Sequence, residues 1–154
     1  MALGKNSDSY GVILVLITFY PFPMSYQSNI LMATAGNDFF RQVLFTGARS
    51  QLVVMSLNPG EEIGAEVHAH VEQLLFFMSG TGKVILDDKE TQFAPGDVVI
   101  VTPGTKHNFI NDGLEKVKIY TVYAPANHIE AVIHKTKQDA VNDIADEAFG
   151  EAIV

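Results

Sequence analysis

Residues Gly60–Gly80 read GEEIGAEVHAHVEQLLFFMSG, and the spacing of their glycines and polar residues decides the fold. His68 and His70 lie behind Glu66 and ahead of Gln73. Side chains alternate between faces along an extended strand, so Glu66, His68 and His70 share one side. Gln73, Leu75 and Phe77 share a side on the run that follows. The stretch therefore reads as two strands that present imidazole, carboxylate and carboxamide groups in register.

Outward from it, short apolar runs alternate with turn signals. The runs are Phe39–Phe45, Gln51–Leu57, Gln73–Met78, Lys83–Leu86, Val98–Val101, His107–Ile110 and Val117–Ala124. Between them lie Asn58-Pro59-Gly60, Ser79-Gly80-Thr81-Gly82, Asp87-Asp88-Lys89, Ala94-Pro95-Gly96-Asp97, Pro103-Gly104 and Asn111-Asp112-Gly113. Pro-Gly supplies the fixed φ and then the positive φ of a type II turn. Many short strands at this spacing predict a β-sandwich or barrel.

The chain has 154 residues, enough for one domain with a core; 47% are hydrophobic and 18% charged, a globular balance. The net charge of −8 repels phosphate backbones and anionic lipid, which argues against nucleic acid and membrane surfaces as partners. There is no cysteine, so disulfides, zinc–thiolate sites and thiol nucleophiles are excluded.

The two ends differ from the middle. Gly11–Tyr20 is apolar but shorter than the roughly 20 residues that span a bilayer. Three readings stand: a signal-like segment, sequence upstream of a start at Met24 or Met32, or an ordered strand or arm, which is the expectation adopted. At the other end, Thr136-Lys137-Gln138-Asp139 is a capping-box pattern with Asp in place of Glu. Val141, Ile144, Ala145, Ala148 and Phe149 fall on one face of the helix that follows, which predicts an amphipathic C-terminal helix packed on the barrel or a partner.

The glycine frames resemble the two motifs of the cupin superfamily. Placing His68 and His70 in the His-x-His slot fails, because the glutamate slot then falls on Leu74 or Leu75. Anchoring on glycine fits every spacing: Gly60, five residues, Glu66-Val67-His68, four residues, Gln73, six residues, Gly80. Glu66 then replaces the first histidine and Gln73 the glutamate. The second motif fits as Gly96, five residues, Thr102-Pro103-Gly104, two residues, His107, three residues, Asn111, with Thr102 in a proline slot. Leu44–His68 is similar to small single-domain cupins labelled mannose-6-phosphate isomerase-like.

The resemblance implies an all-β, double-stranded β-helix (jelly-roll) barrel over residues 37–126, with an N-terminal arm or strand (1–36) and a C-terminal helical segment (127–154). It implies a divalent transition metal (zinc, manganese, iron or nickel) held by His68, His107, Gln73 and Glu66. Imidazole and carboxylate suit such ions, whereas the neutral oxygen of Gln73 is a weak ligand. His70 or Glu66 is then the proton-transfer group. The cavity wall is expected from Leu75, Phe77, Phe109, Met55 and Tyr120. Arg41, Arg49 and Lys106 are the candidate anion binders. His128 and His134 match no motif, and surface or helix-cap roles are expected for them. The implied function is a metal-binding cupin acting on a small, carbohydrate-like molecule; the alternative is a non-catalytic binding or sensing module. A cytoplasmic homodimer is expected.

Overall fold

The computed structural model describes residues 25–153, so the expected N-terminal strand at Gly11–Tyr20 lies outside the described residues. Ten strands are formed among them: β1 (Arg41–Thr46), β2 (Gln51–Leu57), β3 (Glu66–Val67), β4 (Glu72–Ser79), β5 (Gly82–Leu86), β6 (Lys89–Phe93), β7 (Val98–Val101), β8 (Lys106–Ile110), β9 (Val117–Ala124) and β10 (Ile133–His134). The helices are α1 (Ile30–Gly36), α2 (Lys137–Asn142) and α3 (Ile144–Glu151). None is long and apolar enough to cross a membrane.

All strand pairs are antiparallel. One sheet has the order β10-β1-β2-β9-β4-β7, and the other β3-β8-β5-β6. This is the expected jelly roll. Period-two alternation sends Val53, Met55, Leu75, Phe77, Ile119 and Phe109 into the space between the sheets. There Phe77 stacks on Phe93, ring centroids 3.9 Å apart, and tilts against Phe109. Each such aromatic contributes about 1.5–3 kcal/mol by leaving water.

The opposite parity faces outward, and that places Tyr120 outside the cavity wall expected for it. Tyr120 pairs across the ladder with Phe76 and stacks on its ring at 4.8 Å. On this outer face Leu52, Val122, Leu74 and Ile100 form one cross-strand row. Val54, Tyr120, Phe76 and Val98 form the next. Val98 and Ile100, on the edge strand β7, are about half exposed.

The C-terminal segment corrects the expectation of one amphipathic helix. The capping box is present, with Thr136 and Asp139 bonding each other's backbone N–H. The helix then breaks at Asp143, which ends α2 and caps α3, its side chain accepting from the Asp146 N–H at 3.1 Å. The break rotates the apolar stripe out of register. Val141 and Ile144 are exposed, while Asp146, which lies off that apolar stripe, is buried. What holds α2 and α3 down is largely polar: Lys137 to Glu62 at 3.3 Å, Asp143 to His134 at 3.0 Å and Asp146 to His128 at 2.8 Å.

Candidate metal centre

Glu66 on β3 lies directly opposite His107 on β8 in the strand ladder. His68 follows one residue after β3 ends. A third contact ties the two segments, because the N–H of Gly104 donates to the His68 carbonyl at 2.8 Å. Gly104 has φ 83°, a conformation that glycine adopts without strain. The turn of the second motif thus braces a histidine of the first.

These elements bring Glu66, His68 and His107 together, with donor atoms all within 4.8 Å of one another. Glu66 Oε2 is 3.5 Å from His68 Nε2 and 4.0 Å from His107 Nε2. The His68 and His107 rings lie 5.0 Å apart. His107 Nδ1 is 2.9 Å from the Thr105 carbonyl, which only accepts, so Nδ1 carries the proton and Nε2 presents its lone pair. Burial pushes the His107 imidazole below its usual pKa, and the Thr105 carbonyl offsets this only in part. Burial alone would raise the Glu66 carboxyl. The close approach of His68 and the charges of Arg41, His68 and His107 outweigh it and hold Glu66 below the usual glutamate range.

Gln73 faces inward from β4 and is buried, paired across the ladder with Tyr123. Its Nε2 donates to Thr121 Oγ1 at 3.2 Å. Among the described residues its Oε1 has no hydrogen-bond partner, and neither have His68 Nε2 and His107 Nε2. Buried polar atoms without partners are rare and each calls for a reason. Two unpartnered imidazole Nε2 atoms beside a carboxylate are the donor set a divalent transition metal takes, so the residues fit such an ion.

A cupin-domain family model matches residues 53–123. The protein YrkC of Bacillus subtilis strain 168, itself uncharacterised, is 41% identical over 125 residues, which cover 77% of this chain and 67% of that one. The crystal structure of BH2720 from Bacillus halodurans is 33% identical with a TM-score of 0.76, over 77% of this chain and 95% of that one. The chain belongs to the cupin superfamily. A double-stranded β-helix protein from Klebsiella pneumoniae, 24% identical over 71% of this chain and 98% of its own with a TM-score of 0.59, shares the fold.

In this cupin Glu66 and His68 of the centre line a cavity of about 510 Å³ between the barrel mouth and the two C-terminal helices, while His107 and Gln73 lie behind them, outside its lining. Glu66, His68, Arg41, His128 and Asp146 all line it. His70 lines it too, but not by the expected route. β3 ends at Val67 and the chain bends at Ala69-His70, so strand alternation does not carry past His68 and His70 stands exposed at the rim.

The structure corrects other roles. Arg41 is buried, with NH2 3.8 Å from Glu66 Oε1 and NH1 3.7 Å from Asp146 Oδ2. It is engaged by carboxylates rather than free for an anion. Arg49 and Lys106 are exposed and lie off this cavity. His128 and His134, for which surface or helix-cap roles were expected, are both buried, and His134 meets Asp143, the residue that caps α3. Gln51 positions His128: its Oε1 accepts from the His128 N–H at 3.0 Å and its Nε2 donates to the His128 carbonyl at 2.7 Å. His128 Nδ1 then meets Asp146, and its ring stands edge-on to Tyr123, whose own ring stands edge-on to His68. One signal for Arg41 was available, since it shares strand parity with the buried Val43.

Proposed function

We propose that this cupin binds a divalent transition metal through His68, His107 and Glu66, with Gln73 as a weak fourth donor, and acts on a small molecule held in the adjoining cavity. The observation that carries this is the clustering of the Glu66, His68 and His107 donor atoms within 4.8 Å of one another, with Glu66 and His68 lining a cavity large enough for a ligand. Zinc, manganese, iron or nickel bound there supplies a Lewis acid or a redox centre. The chain's own residues do the rest. The His107 imidazole is oriented by the Thr105 carbonyl, and the backbone of His68 is braced by the Gly104 N–H. Glu66 is ionised, and serves as ligand or as the nearby base. His70, exposed at the rim, exchanges protons with solvent and passes them inward, the role for which an imidazole is suited.

A carbohydrate-like substrate follows from the resemblance to isomerase-like cupins. A phosphorylated one is disfavoured, because the buried guanidinium at this cavity is already shared between two carboxylates. The neutral Gln73 in a glutamate slot favours the second reading, a binding or sensing module with a weakly held ion. The test is elemental analysis of protein purified without added metal, followed by titration with Zn²⁺ and Mn²⁺. His68→Ala and His107→Ala are expected to lose the ion, and His70→Gln to keep it. Equal uptake by His107→Ala and wild type refutes the centre. Ligand binding without turnover in the loaded protein selects the sensing module.

The protein acts as a homodimer in this reading, a second copy covering the outer rows of the six-stranded sheet in the cytoplasm. Their apolar side chains, open at Val98 and Ile100, support it. Ile100→Lys is expected to halve the mass measured by light scattering; an unchanged dimer moves the interface elsewhere.

A further inference from the structure

The C-terminal helices lie outside the barrel and outside both glycine frames, yet one of their side chains reaches the metal centre through a single intermediary. Asp146 on α3 places Oδ2 3.7 Å from Arg41 NH1, and Arg41 NH2 lies 3.8 Å from Glu66 Oε1. The guanidinium side chain is 7% exposed, and that of Asp146 4% exposed. Different nitrogens of one planar fork therefore face a carboxylate of the helix and a carboxylate of the centre. The other oxygen of Glu66, Oε2, is the one that faces the two imidazoles.

We propose that Arg41 and Asp146 are positioning residues for the metal centre, through which helix α3 sets the orientation and availability of Glu66. The proposal rests on Glu66, His68 and His107 binding a metal. The physical argument is competition. Both contacts are at ion-pair range, beyond the 2.7–2.9 Å of a tight charge-assisted hydrogen bond. Arg41 is thus divided between two anions and bound closely to neither. Its hold on Oε1 limits how far the Glu66 side chain swings toward the open cavity. Its hold on Asp146 stops it from closing on Glu66 and neutralising the carboxylate a cation needs. Asp146 is itself fixed, accepting from the Ile129 N–H at 2.7 Å and meeting His128 Nδ1 at 2.8 Å. The chain of orientation therefore begins in the segment after the barrel, at the Ile129 N–H and the buried His128 ring, and ends at the prospective ligand. Partners that orient a metal ligand are typically worth 10–100-fold in affinity.

The experiment measures Zn²⁺ and Mn²⁺ affinity by competition with a chelating dye, alongside a thermal melt in chelator for each variant. Asp146→Asn keeps shape and removes the charge that restrains Arg41. It is expected to weaken metal binding at least tenfold. Asp143→Asn weakens the same helix's contact with His134 while its amide oxygen still accepts from the Asp146 N–H, so Asp146 stays on Arg41, and it is expected to bind as wild type does. In an Arg41→Met background, Asp146→Asn is expected to have no further effect, since its influence passes through Arg41. Should Asp146→Asn not fold, Arg41→Lys decides the matter. It keeps the charge but loses the two-sided fork, and is expected to weaken binding while melting near wild type. The proposal is overturned if Asp146→Asn, or Arg41→Lys in its place, binds as wild type does. It is also overturned if Asp143→Asn loses as much, or if the Asp146→Asn loss persists without Arg41. A wild-type protein that binds neither ion overturns the metal reading itself, and this one with it.

Discussion

Replacing Gln73 by Glu restores the carboxylate that the cupin frame carries at this position, and the cost follows from the surroundings. Gln73 is 1% exposed. Its Nε2 bond to Thr121 is lost, but the threonine hydroxyl can turn and donate to the new carboxylate, so that pairing survives. The other oxygen takes the place of Gln73 Oε1, which already lacks a partner. Without metal the change therefore adds an unpaired buried charge. Such a charge costs several kcal/mol, but the group escapes by protonating, which for an ordinary glutamate costs about 3.7 kcal/mol at pH 7. A destabilisation of about 2–4 kcal/mol is expected in chelator at pH 7, a fall of roughly 6–12 °C in Tm for a domain of this size. The sign with pH follows from a raised folded-state pKa. The penalty is present above that value and disappears as pH falls below about 4.3, where the unfolded chain is protonated too. Saturating Zn²⁺ or Mn²⁺ should reverse the order, because the new carboxylate gains a cation. The assay is a pair of melts, in chelator and in excess metal, at pH 7.5 and 5. If Gln73→Glu melts like wild type in chelator and gains no more from metal, the reasoning that aims this side chain at the centre is refuted.

Two further outcomes can be checked by urea denaturation. Burial holds His128 below its usual pKa despite Asp146 beside it, with Arg41 and Glu66 also facing it. The unfolded chain therefore takes up the proton first, and stability should fall as pH drops through about 6.5 toward the lower folded value. His128→Gln should reduce that slope between pH 7.5 and 5.5, and an identical slope contradicts the assignment. Gly82→Ala places a Cβ 2.2 Å from the Ile110 carbonyl and 2.5 Å from the Phe93 ring. A loss of at least about 2 kcal/mol is expected, and one below about 0.5 kcal/mol shows that β5 and β8 separate freely.

The barrel was legible because its signals are local. Glycine and proline mark the turns, and period-two alternation sorts Gln73, Leu75 and Phe77 inward whatever the rest of the chain does. Strand β6 was missed because Lys89-Glu90-Thr91-Gln92 is solvent-exposed and has no alternation to show. The triad of Glu66, His68 and His107 could be read from motif spacing. The bend after His68 could not, because it is set by the brace from Gly104, a contact distant in sequence. The link from Asp146 to Arg41 was hidden by an assumption of continuity. An uninterrupted helix puts Asp146 in solvent; the cap at Asp143 turns it inward. Asp143 offered a signal, since Asp often bonds the backbone N–H three residues on and starts a helix anew.

Strand β3 is only two residues long, and its pairing sets Glu66 against His107. A slip of one residue would put Val67 there and turn the carboxylate outward, because side-chain direction reverses with every step. So short a ladder has little of its own to resist slipping. An ion captured between the strands rewards one alignment and no other. Where the centre takes up an ion as proposed, it is an alignment gauge for a chain still folding: protein that has closed its barrel one notch out of step is left without the ion that the correctly closed barrel retains.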